Sequence, residues 1–368
     1  MNIQMVDVVG QYKKIKSEID EAVQRVLDSG QFILGKDVRD FEESAAAYLG
    51  VKHAVGCASG TDALQIAMMA LGIRPGDEII TTPFTFVATT ETIALLGAKP
   101  VYVDIDPKTF NIDPAGIEKA VTKKTKAVIP VHLYGQSVDM DALMAIARKH
   151  KIPVIEDAAQ AMGAEYKGKK VGGIGVMGAI SFFPSKNLGA FGDAGMVVTN
   201  DDVIAERLRM IIVHGSKTRY KHEILGVNSR LDSLQAAVLN VKLKYLDRWR
   251  DGRRAAARKY NSLFRGSEVV LPYEAPDSPH IYHQYTIRLK NRDQVAQRLA
   301  ELKIPHAIYY PIPLHLQEAF RKPGIGEGAF PVTEQASREV LSLPMHTELT
   351  DDQQSLIVSS VRELTGDR

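Results

Sequence analysis

Between residues 53 and 156 the chain keeps repeating one pattern: a short apolar run, a turn, then a stretch with helical spacing. The apolar runs at 53–57, 78–81, 100–104, 127–132 and 153–156 have the length of strands, and 61–71, 87–96, 114–121 and 140–150 read as helices. Strands this apolar are covered on both faces. Helices between them favour parallel pairing, so the pattern selects an α/β fold with a mostly parallel central sheet. Earlier helices are expected at 15–27 and at 38–49, the second stopped by Gly50. Ligands of such sheets collect outside the carboxyl ends of the strands. Gly60, Phe86 and Asp157 each follow an expected strand, which favours one site over three unrelated loops.

A strand at 195–199, a helix at 203–213 and two long helices at 231–246 and about 248–264 come next. Then Pro272, Pro276 and Pro279 punctuate a loop. Strands at 283–289 and 307–310 and helices at 294–302, 332–342 and 351–364 complete a smaller α/β unit. A chain of 368 residues is long for one domain, and the expected division is a large domain at 1–247 and a small C-terminal one at 248–368. Gly172-Gly173-Ile174-Gly175 is too loose for a nucleotide fingerprint and reads as a flexible loop.

The chemistry-bearing pair is Lys186, in Ser181-Phe182-Phe183-Pro184-Ser185-Lys186-Asn187, and Asp157, in Glu156-Asp157-Ala158-Ala159-Gln160. A lysine amine after one strand and a carboxylate at the end of another are what pyridoxal phosphate (PLP) requires. The amine condenses with the cofactor aldehyde, and the carboxylate keeps the pyridine nitrogen protonated. Alone, the lysine reads as a solvated surface residue and the aspartate as a helix cap. Cys57-Ala58-Ser59-Gly60-Thr61-Asp62-Ala63-Leu64 turns from strand to helix through small residues. There Gly60 and Thr61 are candidates to donate to phosphate oxygens, with Ser181 adding a hydroxyl. An ordinary capped helix start is the plain alternative.

Five ordered strings resemble a known family: Ser59-Gly60-Thr61-Asp62-Ala63-Leu64, Thr85-Phe86-Val87-Ala88-Thr89, Glu156-Asp157-Ala158-Ala159-Gln160, Ser181-Phe182-Phe183-Pro184-Ser185-Lys186 and Gly226-Val227-Asn228-Ser229-Arg230-Leu231. They are similar to the DegT/DnrJ/EryC1/StrS group of PLP-dependent sugar aminotransferases, which have the aspartate aminotransferase-like fold (PLP fold type I). The likeness runs over about residues 6–364. It implies ping-pong transamination, with Lys186 as cofactor lysine and proton carrier, glutamate and 2-oxoglutarate as donor pair, and a nucleotide-linked keto sugar as acceptor. It puts Phe86 over the pyridine face, Gln160 near the ring, and Asn228 on the cofactor phosphate of the neighbouring subunit in a homodimer with shared sites. Arg230 then serves either a sugar nucleotide or a structural ion pair. Tyr309 and Tyr310 fall in a segment that often reads His-Tyr-Pro-x-Pro in the family, and Tyr309 stands where the histidine is expected.

Within the group, Val131-His132-Leu133-Tyr134-Gly135-Gln136 and Tyr310-Pro311-Ile312-Pro313 look most like enzymes aminating C3 of a UDP-linked 3-keto N-acetylglucuronate. A dTDP-3-keto-6-deoxyhexose is the second reading. Sugar dehydratases of this fold replace the lysine with histidine, and this chain has Lys186. A non-catalytic PLP-binding regulator is the reading from a different class.

A formal net charge of +2 provides no basic field for nucleic acid. The single cysteine, Cys57, excludes an intrachain disulfide. The most apolar long window, 54–73, is interrupted by Gly56, Gly60, Thr61, Asp62 and Gln65, so it reads as a buried strand and helix rather than a membrane span. No signal-like start is visible in residues 1–10, and a cytoplasmic setting is expected. His132, His214, His306 and His315 lack metal-ligand spacing, so no metal is expected.

Overall fold

The computed structural model describes residues 3–321 and 323–365. Its centre is built from β1 (His53–Cys57), β2 (Glu78–Thr81), β3 (Lys99–Tyr102), β4 (Thr125–Val128), β5 (Ile155–Asp157), β6 (Met177–Ser181) and β7 (Gly195–Thr199). β2 pairs in parallel with β3 and with β4. β5 pairs in parallel with β6, and β7 runs antiparallel to both β6 and β1. Parallel bridges from Val128 to Val154 and from Val131 to Asp157 join the two segments. The spatial order is β3-β2-β4-β5-β6-β7-β1, and only β7 runs against the rest.

Side-chain alternation explains why these short strands are apolar throughout. Ile79, Ala127, Ile155 and Val197 enter one core with Leu64, Met68 and Leu208. Their neighbours Ile80, Val128, Val154 and Val198 enter another with Phe41, Leu143 and Leu239. Both faces are therefore buried, and each enclosed Ile or Leu contributes roughly 1.5–3 kcal/mol. Caps set the helices between them. Asp139 accepts from the Ala142 amide at 3.1 Å to start Met140–His150, and Gly50, left-handed at φ 69°, ends Lys36–Leu49.

The C-terminal region packs a third core. Tyr260 of helix Leu246–Leu263 and Phe264, which caps it, meet Ile287, Leu341, Leu343 and Ile357, together with Ile3. Its strands β8 (Tyr285–Arg288) and β9 (Val340–Leu343) are antiparallel. Here the sequence expectation needs correcting twice. Residues 307–310 form no strand, only a bridge from Ala307 to Ser342. Residues 340–342, expected as helix, are extended, because helix Pro331–Glu339 stops where β-branched Val340 takes ψ 140° and pairs with Arg288. The Gly172–Gly175 turn, expected as flexible, is pinned. The amides of Gly172, Ile174 and Gly175 donate to the buried Glu156 carboxylate at 2.6–2.7 Å. Among the described residues no helix is long and apolar enough to cross a membrane.

Candidate active site

Asp157 ends β5 with only 4% of its surface exposed. Its Oδ2 accepts from Thr89 Oγ1 at 2.8 Å and its Oδ1 from the Ala159 amide at 3.2 Å. Burial pushes its carboxyl above the usual range, against the pull of those two bonds and of the nearby Lys186 charge.

Lys186 rides a turn that follows β6. Its amide donates to Phe183 O at 2.8 Å, and Ala190 N closes the loop onto Phe182 O at 2.7 Å. Enclosure of the amine pulls its pKa down to about 8, with Asp157 acting in the opposite sense. An unprotonated fraction is thus available near neutral pH, as a nucleophilic amine requires.

The candidate phosphate cradle lies where β1 meets helix Gly60–Leu71. Ser59 caps the helix, accepting from the Asp62 amide at 3.0 Å. Among the described residues the Gly60 and Thr61 amides have no acceptor, as expected for the first turn. Gly60 lies so close to Ser181 that a Cβ there would stand 2.5 Å from the serine Cβ. A Cβ on Gly195 would stand 2.2 Å from Ser59 O. Free amides, a helix N-terminus, a backbone too tight for side chains and a neighbouring hydroxyl fit a phosphate. With Lys186 and Asp157 near enough to feel each other's charge, the residues present fit pyridoxal phosphate.

Phe86 leaves 53% of its surface exposed, which excludes a plain core role, and its ring centroid lies 6.3 Å from that of Tyr310. Gln160 is buried rather than a surface amide. Its Nε2 donates to Tyr310 Oη at 3.0 Å, and its Oε1 accepts from the Tyr134 amide at 2.8 Å. Tyr134 Oη in turn donates to Tyr309 O. These contacts bring Phe86, Gln160, Tyr309 and Tyr310 into one cluster. No hydrogen bond or ion pair among the described residues joins Asn228 or Arg230 to it. Asn228 is exposed, Arg230 is half-buried, and among the described residues neither side chain has a hydrogen bond or ion pair. The ion pair considered for Arg230 is therefore not formed within the described chain. Between them, Ser229 Oγ donates to Asp62 Oδ2 at 2.6 Å and ties the segment to the phosphate-cradle helix.

Several contributors escaped the sequence reading. Thr89 was in view only as part of a string around Phe86, and its bond to Asp157 spans 68 positions. His283 meets Asn187 beside Lys186 across 96 positions. Neither partnership leaves a local signal. His132 is satisfied: Nδ1 accepts from the Val138 amide at 3.1 Å, which assigns the proton to Nε2, 3.0 Å from Glu156. Among the described residues no His, Cys, Asp and Glu cluster suits a metal. Cys57 is buried and burial drives its thiol pKa far up, which makes it inert.

Residues 13–362 match the model of the DegT/DnrJ/EryC1/StrS aminotransferase family. The chain is 53% identical to a pleiotropic regulatory protein of Geobacillus stearothermophilus, over 99% of this chain and 98% of that one. It is 49% identical to the UDP-2-acetamido-2-deoxy-3-oxo-D-glucuronate aminotransferase of Pseudomonas aeruginosa, over 94% and 96%. The crystal structure of DesV from S. venezuelae superposes with a TM-score of 0.96 at 43% identity, covering 99% of this chain and 98% of that one. The chain belongs to the DegT/DnrJ/EryC1/StrS aminotransferase family, and it is a PLP-dependent sugar aminotransferase of fold type I.

Proposed function

We propose that this member of the family moves the amino group of L-glutamate to C3 of a nucleotide-linked 3-keto sugar, UDP-2-acetamido-2-deoxy-3-oxo-glucuronate. The observation that supports the site assignment is the closeness of Lys186, its amine lowered to about 8, to the buried Asp157 carboxylate, each feeling the other's charge. Bound pyridoxal phosphate supplies an electron sink for charge that develops at the substrate carbon. Lys186 Nζ is the attachment point. As a free amine it would hold and move the proton at that carbon as a general acid and base. Asp157 keeps the proton on the ring nitrogen. The Gly60 and Thr61 amides and the Ser181 hydroxyl bind the phosphate, Phe86 covers one ring face, and Gln160 lines the ring. Tyr309, Tyr310 and Arg230 hold the sugar nucleotide, and the fork-shaped guanidinium of Arg230 suits its phosphates.

The enzyme works as a homodimer with shared sites, Asn228 of each chain binding the cofactor phosphate held by the other. Exposed apolar residues support that reading. Phe183, three positions before Lys186, is 52% exposed, and Phe32, Ile33, Leu34 and Phe191 are also exposed. The setting we infer is cytoplasmic synthesis of surface polysaccharide precursors, such as those of lipopolysaccharide O-antigen, with no nucleic-acid or membrane partner.

The choice of sugar rests on the likeness to the Pseudomonas enzyme. A dTDP-3-keto-6-deoxyhexose is the alternative. A purely regulatory role is favoured only by the name of the Geobacillus relative. One experiment separates all three: incubate the yellow protein with 2-oxoglutarate and a panel of UDP- and dTDP-linked 3-amino sugars, and follow glutamate. Turnover of the UDP-linked 3-amino-glucuronate supports the proposal, preference for a dTDP sugar replaces the substrate, and a yellow protein that turns over none of them and keeps its colour with glutamate favours the regulatory role.

A further inference from the structure

His283 sits at the junction between the C-terminal core and the turn that carries Lys186. It is 4% exposed and leads into β8. Its Nδ1 lies 3.1 Å from Asn187 Oδ1, and its Nε2 lies 3.5 Å from Gln284 Nε2. An amide oxygen only accepts and an amide nitrogen only donates, so the ring carries its proton on Nδ1 and offers a lone pair at Nε2. The His283 backbone is itself fixed. The buried Arg253 guanidinium donates to Tyr282 O at 3.1 Å, His283 O at 3.4 Å and Met345 O at 2.9 Å.

Asn187 completes the link. It is 6% exposed, directly follows Lys186, and its Nδ2 has no partner among the described residues. The bond from His283 is thus the sole side-chain hydrogen bond of Asn187 among the described residues. Adjacent Cα atoms are fixed about 3.8 Å apart, so whatever seats Asn187 also seats the lysine backbone. We propose that His283 is a positioning residue for Lys186, a neutral imidazole whose Nδ1–H holds Asn187 and through it locks the lysine turn against the C-terminal core. The groups facing the ring agree with a neutral histidine. Burial, the Lys186 and Arg253 cations and His280 all hold its pKa well below the ordinary value. Protonation would also put a second cation beside the lysine amine.

The inference rests on Lys186 being the cofactor lysine, and borohydride reduction with peptide mapping tests that reading separately. The test of His283 uses the full-length chain stripped of cofactor, in which the Lys186 amine titrates whichever lysine holds the cofactor. Trace acetylation with acetic anhydride across pH, read by mass spectrometry, reports that titration. Wild type should titrate near 8. His283→Leu loosens the turn and admits water to the amine, so its pKa rises by about one unit and its reactivity at pH 7 falls about tenfold. His283→Gln keeps a donor of similar reach and should restore the wild-type curve. The double variant with Asn187→Leu should be no worse than either single one. Identical Lys186 curves in all these proteins, or additive effects in the double variant, overturn the proposal. If His283→Leu does not fold, His283→Gln against the shorter His283→Asn decides, and equal titrations in those two overturn it.

Discussion

Thr89 Oγ1 donates to Asp157 Oδ2 at 2.8 Å, with both side chains almost wholly enclosed. The hydroxyl comes from the first turn of helix Ala88–Leu95 and the carboxylate from the end of β5, so the bond ties the Phe86 segment to β5. It stabilises the charged carboxylate against a burial that favours the neutral acid. Thr89→Val removes the donor at nearly constant shape, so the Asp157 pKa must rise further. The acid limb of kcat/KM against pH should move up by about one unit, while Thr89→Ser keeps the wild-type limb. An unmoved limb in Thr89→Val would show that the hydroxyl does not set the charge on Asp157.

Asp157→Asn tests the carboxylate itself. An amide can hydrogen bond to the ring nitrogen but cannot keep a proton on it. The variant should retain bound cofactor and lose roughly three or more orders of magnitude in rate, about 4 kcal/mol of barrier at 1.36 per decade. Single-turnover kinetics with glutamate measure this directly, and near wild-type rates would reduce the carboxylate to a structural role.

What could be read from the sequence divides along a physical line. Strand and helix positions in the first half were legible because caps and periodicity are local: Asp139, Gly50 and the buried alternation of β2 and β4 announce themselves. The Val340–Leu343 strand was not. Its apolar run fits the end of an amphipathic helix equally well, and only pairing with β8 decides. The site follows the same rule. Lys186, Asp157 and the Gly60 turn carry their chemistry in short strings. Glu156 gathers its three amides from 16 to 19 positions away, and His283 finds Asn187 at 96, distances at which a single sequence holds no register.

Lys242 offers a prediction about stability. Its side chain is buried in helix Ser233–Leu243, donates to Gly189 O at 2.5 Å, and faces the Phe191 and Trp249 rings. Burial lowers its pKa to about 8. Between that value and the ordinary 10.5 the unfolded chain binds more protons at this site than the folded one. The Lys242 contribution to stability therefore rises as pH climbs through this window, and is flat below it. The full rise is about 3 kcal/mol at 1.36 per pH unit. Lys242→Met removes the titrating group, so the difference in urea-unfolding free energy between wild type and variant should grow by that order from pH 7 to pH 10.5. A constant difference would mean that the amine titrates alike in both states.

The proposed sharing of sites between two chains can be tested without a structure of the assembly. Asn228 is exposed and its side chain has no hydrogen bond among the described residues, free to serve another chain, while Lys186 lies beside its own Asp157. An aspartate at 228 would place like charge next to a phosphate, so Asn228→Asp should be strongly impaired. Lys186→Ala lacks the attachment amine and should be inactive. In a mixed dimer the Asn228→Asp chain still offers a sound Lys186, and the Lys186→Ala chain lends it a sound Asn228. One wild-type site results, and the opposite site carries both defects. Random two-fold pairing makes half of the dimers mixed, so co-refolded chains should recover about a quarter of wild-type activity. Native mass spectrometry establishes that the subunits have exchanged. Activity that stays at the level of the separate variants after such exchange would place the whole site within one chain.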